Sequence, residues 1–298
     1  MDDFNNEIRI VLFGKTGTGK SSTGNTILNR EEFKAECQGQ AVTDKSSFGT
    51  RTLNGRKLIV VDTPGLLDTH RDREEMKTEI LRSVGICVPG PHAILFVMRI
   101  GDRLTDDDQN CIQLFTEMFG EHVFKYAIVV FTRENDLNGK TLNQYCQTVP
   151  DAIRNLLTQC SNRVIAFDNN GTYRKKNKAV NSLLRMIDNM IYGQTYYSND
   201  LLLSAQVPFM ARLNEIGQPD AVRQEIAGGG TAFKNVVRTL GPFIIGILIS
   251  SSPSINAAKA VGSIIAEKVG SNVLRTGNVG DAAGVTAAVA ALISNYKS

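Results

Sequence analysis

The chain has 298 residues, of which 42% are hydrophobic and 21% charged, and its formal net charge is +3. That length exceeds one minimal domain and allows a substantial core, and the composition is that of an ordinary soluble globular protein. The small charge, with basic residues scattered apart from Arg174-Lys175-Lys176 and Lys178, gives no ground for a nucleic-acid partner.

Cys37, Cys87, Cys111, Cys146 and Cys160 show neither C-x-x-C nor Cys/His ligand spacing, and His70, His92 and His122 are far apart. Met1–Glu7 is polar and acidic, unlike a secretory leader. Reduced thiols, a cytoplasmic location and no zinc site are the expectation.

Apolar runs alternate with helix-compatible stretches, which is the pattern of an α/β domain with a mostly parallel sheet. The first strand, Ile8–Phe13, runs into Gly14-Lys15-Thr16-Gly17-Thr18-Gly19-Lys20-Ser21, a full match to G-x-x-x-x-G-K-[ST]. A buried strand delivers the chain to a glycine turn whose N–H groups curl around phosphates, and a helix over Ser21–Leu28 aims its positive end at the same anion. Gly14 through Ser22 are therefore the candidate phosphate-binding residues. Lys20 would neutralise the β- and γ-phosphates, and Ser21 would hold Mg²⁺ through its hydroxyl. A strand on one side and a helix on the other argue against a chance glycine-rich turn.

Next come strands at Phe48–Leu53 and Lys57–Asp62, joined by the hairpin signal Asn54-Gly55 and hence antiparallel. Thr43, in Gln40-Ala41-Val42-Thr43, precedes this pair and is the candidate switch threonine, catalytic and a Mg²⁺ ligand; Thr50 and Thr52 read as strand surface. Asp62-Thr63-Pro64-Gly65 ends the third strand. There Asp62 can hold a Mg²⁺-bound water and the Gly65 N–H can bond the γ-phosphate; the bland alternative is a helix-capping aspartate.

A helix over Glu74–Val84 and a strand over Ala93–Met98 follow. Thr105 then caps a helix over Asp106–Phe119, with Asp106, Asp107 and Asp108 at its positive end. The strand Ala127–Thr132 leads into Arg133-Glu134-Asn135-Asp136-Leu137, where Asp136 could accept from guanine N1 and the exocyclic amine. Asp136 could instead start a turn with Asn135, Asn138 and Gly139. One helix is expected over Leu142–Gln159, then a strand over Val164–Phe167. That strand ends in Asp168-Asn169-Asn170, where the Asn169 amide could support the base. An amphipathic helix over Lys178–Tyr192 completes the domain.

Beyond Tyr197 the composition shifts. Asn199–Arg223 fits one helix, and Gly228-Gly229-Gly230 looks like a hinge. Thr239–Ala258 carries no charge but is interrupted by Pro242, Pro253 and serines, so it has the length of a membrane span without its apolarity. Ala282–Tyr296 is a second uncharged stretch. Ile255, Ala258, Gly262, Ile265, Val269 and Val273 form a small-residue stripe suited to helix packing or, alternatively, to a membrane surface.

The segments RIVLFGKTGTGKSSTGNTIL, QAVT, VVDTPGLLDT, PGPHAILFVMRIGDRLT, FTRENDL and AFDNN, in this order, resemble the GTPases of immunity-associated proteins, the AIG-type branch of septin-like GTPases. The PGPHA block is that family's own signature. The resemblance covers about Glu7–Asn199. It implies Mg²⁺-dependent GTP binding, dimers or oligomers through the nucleotide face, and slow hydrolysis assisted by the partner. It also implies a switch in immune or stress responses. Arg103 aligns with an arginine that acts across the dimer in some members, an arginine finger being worth roughly 10³–10⁵ in rate; the alternative is a solvated loop residue. Where the family commonly has lysine this chain has Glu134, for which Arg133 could substitute against the base; Asp168 stands where asparagine is common, and Leu66 follows Gly65.

The expected fold is therefore an α/β phosphate-loop sandwich with a mostly parallel six-stranded sheet over residues 1–197. A mostly helical, Gly/Ala-rich extension follows over 198–298, with membrane association through it as an option. The expected function is a GTPase switch, with a GTP-gated oligomerising scaffold or an ATP-using phosphate-loop protein as the alternatives.

Overall fold

Strand β1 (Glu7–Phe13) lies at the centre of the sheet because its residues are apolar enough to be covered on both faces. The computed structural model of the chain describes residues 4, 6–34, 45–65, 73–102, 106–191 and 196–249. Among these, β2 (Ser47–Leu53), β3 (Arg56–Asp62), β4 (Ala93–Arg99), β5 (Ala127–Thr132) and β6 (Val164–Phe167) join β1 in one six-stranded sheet of order β2-β3-β1-β4-β5-β6. Only β2 runs antiparallel, paired to β3 with Gly49 opposite Val60. Asn54 (φ 51°) and Gly55 (φ 75°) make the positive-φ turn that this hairpin requires. Every parallel strand thus ends at one edge, where loops can converge.

Helices α1 (Lys20–Leu28), α2 (Arg73–Ile86), α3 (Asp106–Phe119), α4 (Leu142–Thr148), α5 (Asp151–Gln159) and α6 (Tyr173–Met190) fill the crossovers. Ile27 of α1 and Leu183, Leu184 and Ile187 of α6 bury against Ile10, Leu58, Leu95 and Ile128 of the sheet. The single helix expected over Leu142–Gln159 is two. Pro150 breaks it, and α4 has its own capping box at Thr141 and Gln144. Helix α6 starts at Tyr173, ahead of the expected Lys178, because Thr172 caps it by accepting from the Lys175 N–H.

Asn199–Arg223 is likewise two helices rather than one. Helix α7 (Asp200–Ile216) stops at Gly217 in the left-handed conformation (φ 78°), and Pro219 opens α8 (Pro219–Gly228). Gly229 (φ 82°) ends α8, and α9 (Thr231–Ile249) begins two residues later. The chain divides into two compact units, 1–237 and 238–298. The first unit therefore contains α7 and α8. The second unit is described only as far as Ile249. Thr43, Leu66 and Arg103 lie outside the described residues, as do the small-residue stripe and Ala282–Tyr296. Among the described residues no helix is long and apolar enough to cross a membrane.

Charge docks α8. Arg223 is fully buried and donates to both oxygens of Glu7 (3.0 and 2.8 Å), to Asp220 (2.9 Å) and to the carbonyls of Ile86 and Val88. Glu7 also pairs with Arg9 at 2.9 Å, and Arg9 in turn donates to the Gly90 carbonyl. On the neighbouring helix, Arg82 of α2 binds Glu79 and caps α8 through the carbonyls of Ile226 and Ala227. Each buried cation is thus met by carboxylates or carbonyls, the condition under which buried charge is tolerable.

Candidate nucleotide site

The phosphate loop leaves β1 at Gly14, where a Cβ would stand 2.3 Å from the Val97 carbonyl oxygen of β4. No other residue type fits that close approach. Gly19 (φ 94°) is left-handed and serves as the N-cap of α1, so the helix opens directly onto the loop. Lys20 is buried, and its Nζ donates to the Lys15 carbonyl at 2.9 Å; the Thr18 hydroxyl donates to that same carbonyl at 2.8 Å. The loop is also held from outside, because the buried Thr132 hydroxyl at the end of β5 donates to the Thr18 carbonyl at 2.7 Å. Thr16 and Ser22 are half-buried, while Lys15 and Gly17 are exposed. A cavity of about 230 Å³ opens beside the loop, with Gly14, Thr16, Thr18, Met98, Arg99 and Asp102 in its lining.

Asp62, fully buried at the end of β3, accepts from the Ser21 hydroxyl at 2.6 Å. The two residues expected to share a metal are therefore in contact, although 41 positions separate them. A hydroxyl and a carboxylate are hard oxygen donors, the set that suits Mg²⁺ bound through one or two protein ligands plus phosphate oxygens and water. Among the described residues no group of three or more His, Cys, Asp or Glu gathers. Thr63 fixes the following loop by donating to the Leu12 carbonyl at 2.7 Å, and Gly65 is buried beyond it.

On the base side, β5 turns sharply at Arg133 (φ 59°) into a short 3₁₀ turn, Glu134–Leu137, that presents Asp136 exposed. Asn169 is held on α1. Its amide donates to the Thr23 hydroxyl at 3.0 Å and accepts from the Thr26 hydroxyl at 2.9 Å, so it braces the β6–α6 loop on α1. Asp168 beside it is buried and accepts from the Asn135 amide at 2.9 Å. The loop after β4 is held by Tyr145 of α4, whose hydroxyl accepts from the Gly101 N–H at 2.9 Å. Sequence reading missed Thr132, Asn135 and Tyr145 as site-shaping residues. The first two stood inside the quoted base motif, whereas nothing local marks Tyr145.

Four loops at one sheet edge, with a lysine-bearing glycine loop facing a serine–aspartate pair, define a phosphate-loop domain of the GTPase kind. The chain belongs to the AIG1 family, whose model matches residues 8–214. It is 34% identical over 196 residues to mouse GTPase IMAP family member 8, covering 64% of this chain and 28% of that one. It is also 34% identical over 191 residues to immune-associated nucleotide-binding protein 13 of Arabidopsis thaliana, covering 63% and 56%. The chain thus spans less than two thirds of the length of these relatives. A solved structure of the chloroplast translocon components atToc33 and psToc159, for whose GTPase activity dimerization is described as important, superposes with a TM-score of 0.50 at 19% identity. It covers 64% of this chain and 85% of that one, and shows a shared fold.

Proposed function

We propose that this chain is a guanine-nucleotide switch: it binds GTP and GDP with Mg²⁺ and hydrolyses GTP slowly, and faster when two copies meet across the nucleotide face. The observation that carries the reading is the 2.6 Å contact between Ser21 and Asp62, which joins the phosphate loop to the D-x-x-G loop at one metal position. Lys20 neutralises phosphate charge, and the N–H groups of Gly14–Ser22 surround it. Ser21 and Asp62 hold Mg²⁺, with Thr43 as a further ligand. Bound there, the ion would shield the charge that grows on the phosphate oxygens during transfer. Asp136 accepts hydrogen bonds from guanine, with Arg133 against the base and the Asn169 amide reinforcing the base contact. Arg103 enters from the second copy, and water attacks the γ-phosphorus in line. The names of the AIG1 relatives and the dimerization of the translocon components support this reading.

One sequence fact favours a second reading, a GTP-gated scaffold with little turnover: Leu66, which cannot orient water, follows Gly65. Single-turnover hydrolysis at rising protein concentration separates the two. Rates that climb with concentration, and that fall in Arg103→Ala without loss of binding, support the dimer-activated enzyme. Flat, negligible rates support the scaffold. A cytoplasmic location, membrane attachment through residues 198–298, an extension beginning there and an immune or stress role belong to the same proposal. Liposome flotation of the full chain beside one ending at Val237 tests the attachment.

A further inference from the structure

The turn that carries Asp136 buries Leu137, but its polar side chains have few ties to the fold. Among the described residues, one side-chain hydrogen bond leaves residues 133–138 for the rest of the chain, from the Asn135 Nδ2 to the Asp168 Oδ2 at 2.9 Å. Along the backbone, the Asp136 N–H donates to the Arg133 carbonyl and the Asn138 N–H to the Asn135 carbonyl within the turn, and the Leu137 carbonyl accepts from the Lys140 N–H just beyond it. Asp168, by contrast, is set firmly. It is 8% exposed, its carbonyl accepts from the Gly171 N–H at 3.0 Å, and its neighbour Asn169 is bonded twice to α1. Gly171 leaves room for the carboxylate, since a Cβ there would lie 2.7 Å from the Asp168 Oδ2. The Lys175 ammonium stands 4.0 Å from the same oxygen.

From this geometry we infer that Asp168 and Asn135 are specificity-positioning residues: a latch between the two base-side loops that sets Asp136 to distinguish guanine from other purines. The inference rests on the proposed role of Asp136 as the base acceptor. A carboxylate takes two hydrogen bonds from guanine, through N1–H and the exocyclic amine, and one from hypoxanthine, which lacks the amine. Both bonds form only if the carboxylate plane is fixed, and a turn opened by a left-handed Arg133 does not fix it unaided. The exposed Asn135 amide, adjacent to Asp136 and anchored on a buried carboxylate, supplies that restraint. Asp168 thereby acts at a distance on base choice, although neither latch residue needs to touch the base.

The test compares GDP with IDP, which share sugar and phosphates, by calorimetry on the full chain in Mg²⁺. Wild type is expected to prefer GDP, and Asp136→Ala to lose that preference. Asp168→Ala and the surface variant Asn135→Ala should each weaken GDP by about tenfold or more, the scale of one mis-set hydrogen bond to a charged group. IDP should change far less in both, so the GDP-to-IDP ratio collapses. Asp168→Asn keeps an acceptor for the Asn135 amide and should restore most of the ratio. If Asn135→Ala and Asp168→Ala weaken both nucleotides equally, leaving the ratio intact, the pair is a structural tie and the inference fails. If wild type does not separate GDP from IDP, or Asp136→Ala leaves the ratio unchanged, the role of Asp136 fails first and the latch with it.

Discussion

Replacing Arg223 by alanine tests whether α8 is part of the nucleotide-binding unit. The side chain is fully buried and donates five hydrogen bonds, two of them to Glu7 and one to Asp220. Alanine would leave Glu7, itself 4% exposed, with Arg9 and a more distant Lys57 as its remaining cations. It would also strand two buried carbonyls. Breaking a buried pair by removing one partner costs about 3–5 kcal/mol, against a total stability on the order of 5–15 kcal/mol. For a domain of this size that corresponds to a fall in Tm of roughly 10 °C. Urea unfolding followed by far-ultraviolet circular dichroism measures the loss directly. A cost below about 1 kcal/mol, the scale of an exposed ion pair, would refute the reasoning.

Shortening the chain makes the same point: a protein ending at Val237 should unfold in one cooperative transition, whereas one ending at Tyr197 should be less stable by several kcal/mol or insoluble, having lost the partners of Glu7 and Arg82. His92 gives a pH signature. Burial, then Arg9 and Arg56, lowers its pKa to about 3, and its Nδ1 accepts from the Arg9 N–H. The unfolded chain therefore takes up this proton below its ordinary value near 6.5 while the folded chain does not. Stability should fall from pH 6.5 towards 3 with a slope of about 1.4 kcal/mol per pH unit from this group. His92→Asn, which keeps an acceptor, should remove that part of the slope in denaturation series; an unchanged slope would contradict it. Gly14→Ala should weaken nucleotide binding by at least about tenfold, because the Val97 carbonyl is backbone and cannot yield; unchanged affinity by fluorescence titration would be inconsistent with the loop geometry.

Much of the G domain was legible because its signals are local. Apolar runs marked the five parallel strands, Asn54-Gly55 marked the hairpin that adds the antiparallel β2, and the two phosphate-side motifs are contiguous. Signals that depend on distant partners were not legible. The pairing of Arg223 with Glu7 is one, since one sequence position carries no information about a counter-charge more than two hundred residues away. Docking of α7 and α8 was therefore invisible. Pro150 and the Gly217–Pro219 pair were local signals that the helix pattern outweighed. The bonds of Asn169 to Thr23 and Thr26 come from α1 packing beside the β6 loop, a contact no spacing announces.

The central claim is a guanine-nucleotide site assembled with Mg²⁺ by Lys20, Ser21 and Asp62 and read by Asp136. Displacement of a fluorescent GDP analogue by unlabelled GDP and ADP, with Mg²⁺ and with a chelator, tests it most directly. GDP should displace at a concentration at least about 10²-fold lower than ADP, and the chelator should weaken binding. Equal displacement by ADP, or binding of GDP retained in full by Lys20→Ala and without Mg²⁺, would contradict it.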